Sequence, residues 1–262
     1  MIALIDFDSI LYKAVYKIVS IQEMKSAILK YGKDGAKEWL LEEVYNEGIN
    51  RCENSLLKMM EYLEENFAHE IVSYELYLTT CKNSFRKSLT KTYKAKRKSN
   101  PYVSLIRNYY LDNGCIFSDV YEADDLIADR ANELGVDNYI IISIDKDLKT
   151  IGGYLWSYYT QRTKDSQGMY VQLQNGNFET EYKQKFPEFI TKKEADLFFW
   201  KQMLMGDATD GIIGIYGIGA KKADNLLKDK SNYFITVARE YLTKLSKEEF
   251  KNNYQLLKLG SR

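Results

Sequence analysis

The sequence predicts an α/β domain with a central, mostly parallel sheet flanked by helices, followed by a smaller helical region. Residues 2–5 (IALI) and 139–144 (YIIISI) are short apolar runs rich in β-branched residues, as strands buried on both faces require. Each run is closed by an aspartate, Asp6 and Asp145. Between them, residues 36–67 carry apolar groups at mixed three- and four-residue spacing, which is helical periodicity.

The elements follow in order. IVSYELYL, residues 71–78, is a third strand candidate, and EADDLIADRANELG reads as a helix that opens at Glu122 and is closed by Gly135. After Trp156 the pattern changes. MYVQLQNGNFETEY alternates on both sides of Asn175-Gly176, the signal for a two-residue hairpin turn. From about Thr191 the chain reads as helical, with one glycine-rich interruption, GIIGIYGIGAKKA. No fixed-period repeat or low-complexity linker is present, and Pro101 and Pro187 sit near expected boundaries. The expected layout is an α/β domain over 1–190 and a helical region over 191–262.

Composition excludes several classes. With 262 residues, 45% hydrophobic and 28% charged, the chain has ample material for a core, so disorder as the main state is out. Its 37 Lys+Arg balance 37 Asp+Glu, so any charge-driven function must come from local segregation. No stretch approaches the roughly 20 apolar residues of a membrane span. Asp6 and Asp8 interrupt the run a signal peptide needs, and a cytoplasmic protein with no membrane partner is expected. Cys52, Cys81 and Cys115 are odd in number and widely spaced, which argues against a disulfide framework and a cysteine zinc site. The one histidine, His69, lies in the polar context NFAHE and reads as a surface residue.

The acids carry the chemistry. In open α/β sheets ligands bind beyond the carboxyl ends of the strands, and there the sequence puts Asp6, Asp145 and Asp147. Glu122, Asp124 and Asp125 open the helix of YEADDLIA, and Asp207 and Asp210 follow in GDATDG. Taken singly, such acids merely favour a helix macrodipole. Converging in one cleft they raise one another's pKa, a conflict that divalent cations resolve. An all-oxygen set suits Mg²⁺ or Mn²⁺ over Zn²⁺, and paired ions about 4 Å apart are a recurring device of phosphodiester chemistry.

Two basic features accompany the acids. FRKSLTKTYKAKRK, residues 85–98, concentrates Arg and Lys around Phe85 and Tyr93. Such a run is often a solvated helix face, but directly after a strand it overhangs the strand-end cleft, where it can track a phosphate backbone and stack a base. In GIYGIGAKKADNLL, Gly214, Gly217 and Gly219 precede a helix carrying Lys221 and Lys222, an arrangement that lets the backbone approach a phosphate at a helix N-terminus.

With these residues assembled, the sequence resembles the 5′ nuclease superfamily, the flap endonuclease-like 5′-3′ exonucleases, and most of all those of short-tailed bacteriophages. The resemblance runs from Ile2 to about Leu227. LIDFD with LYKA is similar to the first-strand aspartate and first-helix start of that family, and FRKSLTKTYKAKR to its F-R-x-x-L-x(3)-Y-K-x-x-R element in the arch or gateway, here about residues 80–105. YEADD and SIDKDL match its metal motifs, and GDATDGIIGIYGIGAKKA its Gly-Asp-x-x-Asp motif running into a helix-three-turn-helix.

The resemblance implies a PIN-like/5′ nuclease fold with a C-terminal helix-three-turn-helix region, and two Mg²⁺ ions, or Mn²⁺, per active site. Asp6, Glu122, Asp124, Asp125 and Asp145 would surround the first ion, and Asp147, Asp207 and Asp210, again with Asp145, the second. Lys94 would reach the scissile phosphate with Arg97 as its nearby basic partner, and Asp145 counts with them as catalytic. Arg86, Tyr93, Lys94, Lys96, Arg97, Gly214, Gly217, Gly219, Lys221 and Lys222 would contact DNA, with K⁺ at the helix-three-turn-helix.

The implied activity is metal-dependent hydrolysis of DNA phosphodiesters near 5′ ends, at a flap, a nick or a recessed end, by a monomer in the cytoplasm, that of the host if phage-encoded. The alternatives are a non-catalytic DNA-structure binder and a ribonuclease acting on RNA·DNA hybrids. Two departures stand out. Thr79 or Thr80 occupies the place of a further aspartate, with Asp8 on the neighbouring strand end as its candidate substitute, and Gly211 stands where many relatives have Asn.

Overall fold

The computed structural model describes the chain except for residues 17, 81–84, 96–99, 159, 163–179, 183–185, 229 and 261–262, and except for the side chains of 21, 160–162 and 180–182. In chain order β1 (Ile2–Asp6), α1 (Asp8–Ala14), α2 (Ile21–Asn66), β2 (Ser73–Thr79), α3 (Phe85–Leu89), α4 (Pro101–Asp112), β3 (Ile116–Ser118) and α5 (Ala123–Leu134) come first. β4 (Tyr139–Ile142), a 3₁₀ turn (Lys146–Thr150), β5 (Gly153–Trp156), β6 (Thr160–Arg162), β7 (Thr180–Tyr182) and β8 (Glu188–Ile190) follow. α6 (Lys192–Met205), β9 (Gly206–Asp207), β10 (Ile212–Ile213), α7 (Ala220–Leu227), α8 (Tyr233–Lys244) and α9 (Lys247–Leu257) complete the chain.

The main sheet has the order β3-β2-β1-β4-β5-β8. Every pairing is parallel except that of β8 with β5 at the edge. From β1 the chain moves outward to β2 and β3, then returns to β4 on the other side of β1, so the strand order reverses between β1 and β4. A crevice opens at such a switch point beyond the carboxyl ends of the strands. Register fixes which residues reach it: Ile5 pairs with Ile142, which leaves Asp6 and Ser143 at the rim.

Side-chain alternation builds two cores on this sheet. Ala3, Ile5, Ile140 and Ile142 face one side, against Val44, Cys52, Leu56, Met59 and Leu63 of α2. Leu4, Tyr139 and Ile141 face the other, against Ala123, Ile127 and Ala131 of α5. The α2 residues recur at helical spacing, the reason this stretch buries one face. The helix is longer than the periodicity predicts, starting at Ser20, whose hydroxyl accepts the N–H of Glu23 while the Glu23 carboxylate accepts the N–H of Ser20. Gly32 (φ 71°) breaks it internally.

The expected helix from Glu122 to Gly135 forms as α5. β5 and β8 add strands that the apolar runs do not announce. β6 and β7 pair antiparallel; the Asn175-Gly176 turn expected between them lies outside the described residues.

A third core belongs to the helices after Thr191, where Phe199, Met203, Ile212, Ile215, Val237, Tyr241 and Leu257 pack together. Tyr93, from the basic stretch, is inserted into it. Among the described residues no helix is long and apolar enough to cross a membrane. His69 is exposed as expected, its Nε2 3.0 Å from the Tyr154 hydroxyl.

Candidate active site

Asp6 ends β1 and is buried. Ser143, just past β4, donates its Oγ–H to Asp6 Oδ2 at 2.6 Å and accepts the Asp145 N–H at 2.9 Å, so one hydroxyl ties the ends of two strands together. Asp145 caps the 3₁₀ turn, its Oδ1 accepting the Asp147 N–H at 2.9 Å. Burial, with the charges of Asp8 and Asp145, pushes Asp6 up to about 7. Asp124, in the first turn of α5, is held well above the usual carboxylate range by desolvation and by Asp6 and Asp145. Asp147 is pushed up to about 6 by burial and the charges of Asp145 and Asp207.

Asp207 lies across the crevice in β9. Burial works against its charge, but the Lys146 ammonium at 2.8 Å and the N–H groups of Thr209 and Asp210 outweigh it, and its pKa falls below the ordinary value. Asp6, Asp124, Asp145, Asp147 and Asp207 thus act on one another as one electrostatic cluster. Asp210 joins through Lys94, whose Nζ lies 3.8 Å from its Oδ2.

The basic stretch is arranged differently from the sequence expectation. Arg86, expected to contact DNA, is 3% exposed and binds Asp125 through both terminal nitrogens at 2.6 and 2.7 Å. Tyr93, expected to contact DNA, is 4% exposed and donates its hydroxyl to Glu122 at 2.6 Å. Both are corrected to internal roles, because the acids that open α5 draw them in. Lys96 and Arg97 lie outside the described residues.

Lys94 does reach the acids. Its Nζ lies 2.9 Å from Glu122 Oε1, and its charge is stabilised by Glu122, Asp124 and Asp210 in spite of burial, which raises its pKa. It is the only non-glycine residue with positive φ (50°) among the described residues, and its N–H donates to the Asp210 carbonyl at 3.0 Å. That bond docks the 91–95 turn on the Asp207–Gly211 turn. Gly211 has φ 74°, and a Cβ there would stand 2.5 Å from the Thr92 carbonyl oxygen, which explains glycine at this departure.

Glu122 and Asp125, expected around a first metal ion, have other partners here. Glu122 accepts from Arg86, Tyr93 and Lys94, and these outweigh burial to keep its pKa low. Asp125 accepts from Arg86, from the Glu122 N–H and from the Gly260 N–H. Thr79 ends β2, and its hydroxyl accepts the Ala123 N–H at 3.1 Å. Asp8, its candidate substitute, is bound by Arg107 at 2.6 Å and by the Thr79 N–H at 3.1 Å.

A cleft of about 1020 Å³ lies between the 91–95 turn and residues 205–219. Of the three loop glycines, Gly214 is a packing residue, since a Cβ on it would fall 2.1 Å from the Met205 carbonyl carbon. Gly217 and Gly219 face open space, and Lys221 and Lys222 are exposed beside them.

As the side chains stand, no three His, Cys, Asp or Glu among the described residues enclose a metal site. The donor set nonetheless fits a hard divalent cation: it is all oxygen, and Asp6, Asp124 and Asp147 raise one another's pKa or have theirs raised by acid neighbours. Ser143, Lys146 and Gln202 were missed by sequence reasoning. Lys146 lies inside the Asp-x-Asp motif, so its proximity to the acids was readable; Ser143 and Gln202 carry no local signal.

No protein-family model matches the sequence. The chain is 32% identical to DNA polymerase I of Borreliella burgdorferi over 178 aligned positions, which take in 63% of this chain and 17% of that protein. It therefore spans about a sixth of that relative's length. Among solved structures, the D15 protein of bacteriophage T5 co-crystallised with metal ions superposes over 98% of this chain and 88% of its own, with TM-score 0.58 and 13% identity. The T5 D15 flap endonuclease in a pseudo-enzyme-product complex with DNA and metal ions covers 98% and 87% (TM-score 0.55, 14% identity). The T5 5′-exonuclease with bound zinc covers 97% and 88% (TM-score 0.54, 14% identity). With its parallel sheet, its acids at the switch point and these matches along nearly its whole length, the chain has the fold of the 5′ nuclease superfamily.

Proposed function

We propose that this chain hydrolyses DNA phosphodiesters near 5′ ends as a divalent-metal-dependent 5′-3′ exonuclease and flap endonuclease. The observation that carries the reading is the cluster of Asp6, Asp124, Asp145, Asp147 and Asp207 at the sheet's switch point, with the Lys94 ammonium beside it. The T5 flap endonuclease that shares this fold was solved with DNA and metal ions. Asp6, Asp124 and Asp145 would hold one Mg²⁺ or Mn²⁺ and Asp145, Asp147, Asp207 and Asp210 the other. Bound there, the ions supply charge stabilisation at the attacking and leaving oxygens.

The chain's own residues do the rest. Lys94, held by Glu122, stabilises charge developing on the phosphate. Glu122 and Asp125 position the basic side chains, a supporting role. Gly217, Gly219, Lys221 and Lys222 hold the duplex backbone, with K⁺ on the loop. Residues 1–190 form the catalytic domain and 191–262 the duplex-binding region of a cytoplasmic monomer.

The test is cleavage of a 5′-flap and a 5′-recessed duplex, each 3′-labelled, in Mg²⁺ and in EDTA, with Asp145→Asn alongside and a matched RNA·DNA hybrid as a third substrate. Shortening from the 5′ end in Mg²⁺ alone, lost in the folded mutant, is expected. An undiminished rate in Asp145→Asn overturns the reading, and tight binding without cleavage marks a DNA-structure binder.

A further inference from the structure

Gln202 sits on α6, five residues before Asp207, and is 4% exposed. Its Nε2 donates to Asp147 Oδ1 at 2.6 Å. Its Oε1 is buried with no hydrogen-bond partner among the described residues. An enclosed amide oxygen without a donor is unfavourable, and buried polar atoms in folded proteins nearly always find one. The apolar neighbours Met203 and Leu204, both fully buried, show that this stretch of α6 accommodates hydrophobic side chains. A leucine at 202 would fill similar space without an unsatisfied atom.

The position of the amide indicates what the oxygen serves. Asp147, to which the nitrogen end is bound, feels the negative charges of Asp145 and Asp207. The amide oxygen, on the same carbon as that nitrogen, is a neutral oxygen of the type that hard cations and their hydration waters take. Mg²⁺ in particular keeps several waters, and the outer partners of a metal site tune its affinity alongside the direct ligands.

We propose that Gln202 is a positioning residue of the cation site formed by Asp147 and Asp207. Its Nε2 fixes the Asp147 carboxylate, and its Oε1 accepts a hydrogen bond from water in the hydration shell of the bound cation. The inference rests on the divalent-cation reading of the acid cluster. It adds a neutral amide to a site whose other groups are charged.

The experiment titrates Mn²⁺ into the metal-stripped full chain by calorimetry, without DNA, for wild type, Gln202→Leu and Gln202→Glu. Circular dichroism in EDTA confirms folding, and Gln202→Met replaces the leucine variant should that one not fold. Gln202→Leu is expected to weaken one Mn²⁺ affinity by about 10–100-fold, the range for lost outer partners of metal sites. Gln202→Glu, which loses the Nε2 donor but retains an oxygen acceptor, is expected to lose less Mn²⁺ affinity than Gln202→Leu. A twofold or smaller change in Gln202→Leu, or equal losses in both variants, overturns the proposal and leaves Gln202 as a structural hydrogen bond. Absence of Mn²⁺ binding by wild type overturns the cation reading itself, so the two failures are distinct.

Discussion

Arg86 meets Asp125 in a two-pronged ion pair, Nη1 to Oδ2 at 2.6 Å and Nη2 to Oδ1 at 2.7 Å, with both side chains closed off from solvent. The same guanidinium donates to Glu122 and to the carbonyls of Leu256 and Lys258, so five N–H bonds are placed. Helix α3, the start of α5 and the end of α9 therefore share one residue.

Removing Arg86 leaves Asp125 and Glu122 buried with fewer positive partners. Arg86→Met is expected to cost about 3–5 kcal/mol, as for other broken buried pairs. Lysine, with three donors on a point charge, should not restore it. Guanidinium unfolding in EDTA measures both variants, and a loss below about 1 kcal/mol, the scale of surface pairs, would show that the pair contributes little.

Gly211 links the acids to Lys94. Gly211→Ala puts a Cβ 2.5 Å from the Thr92 carbonyl at a left-handed position, and the 91–95 turn must shift. Because Lys94 hangs from that turn by its N–H bond to Asp210, the cleavage rate should fall about 10–100-fold with little change in KM, since small misplacements at reacting centres act on that scale. Steady-state kinetics on the flap substrate decide it. Unchanged kcat would mean that the turn does not position Lys94.

The acid cluster makes a signed prediction for pH. Asp6 at about 7 and Asp147 at about 6, against 3.8 for a free aspartate, bind protons more tightly folded than unfolded. Their contribution to stability is fully present below pH 3.8 and is lost as pH rises through 6 to 7. Asp124 acts in the same direction, whereas Asp207 and Glu122, with lowered pKa values, lose their contribution in acid. In EDTA the Tm should therefore fall from about pH 5 to pH 8. Divalent ions compete with those protons, so the rise in Tm on adding Mn²⁺ should grow over the same interval. Scanning calorimetry in EDTA and in Mn²⁺ checks both slopes, and a flat or rising EDTA profile contradicts the coupling of these acids.

The strand-end acids were legible because a buried parallel strand is a continuous apolar run, and Asp6 and Asp145 interrupt two of them where the sheet ends. α5 was legible for a similar reason, an acidic start and a glycine close. The inward turn of Arg86 and Tyr93 was not. Composition shows a basic run, while burial depends on Glu122 and Asp125, 29 to 39 residues away, and on a carbonyl 170 residues away. Gln202 was silent because an amide in an apolar helix announces nothing until Asp147 is placed against it. Gly214 looked like Gly217 and Gly219 because spacing does not reveal which glycine faces a neighbouring backbone.

The exposed end of the loop separates charge from apolar contact on DNA. Tyr216 is 98% exposed and Ile213 82%, just ahead of the open Gly217 and Gly219 and the exposed Lys221 and Lys222. If this loop meets the duplex, its residues differ in how they respond to salt. Lys221→Ala should weaken binding and reduce the slope of log K against log salt by about 1, because a released counterion is lost with each phosphate contact. Tyr216→Ala removes only ring contact, so affinity should fall about 5–150-fold, the range for stacking on one base, with the slope unchanged. Tyr216→Phe should keep wild-type affinity. Fluorescence anisotropy of a labelled duplex in Ca²⁺ across a salt series reads all three, and a slope lowered in Tyr216→Ala would show that its loss disturbs the lysines and that the ring itself is not the contact.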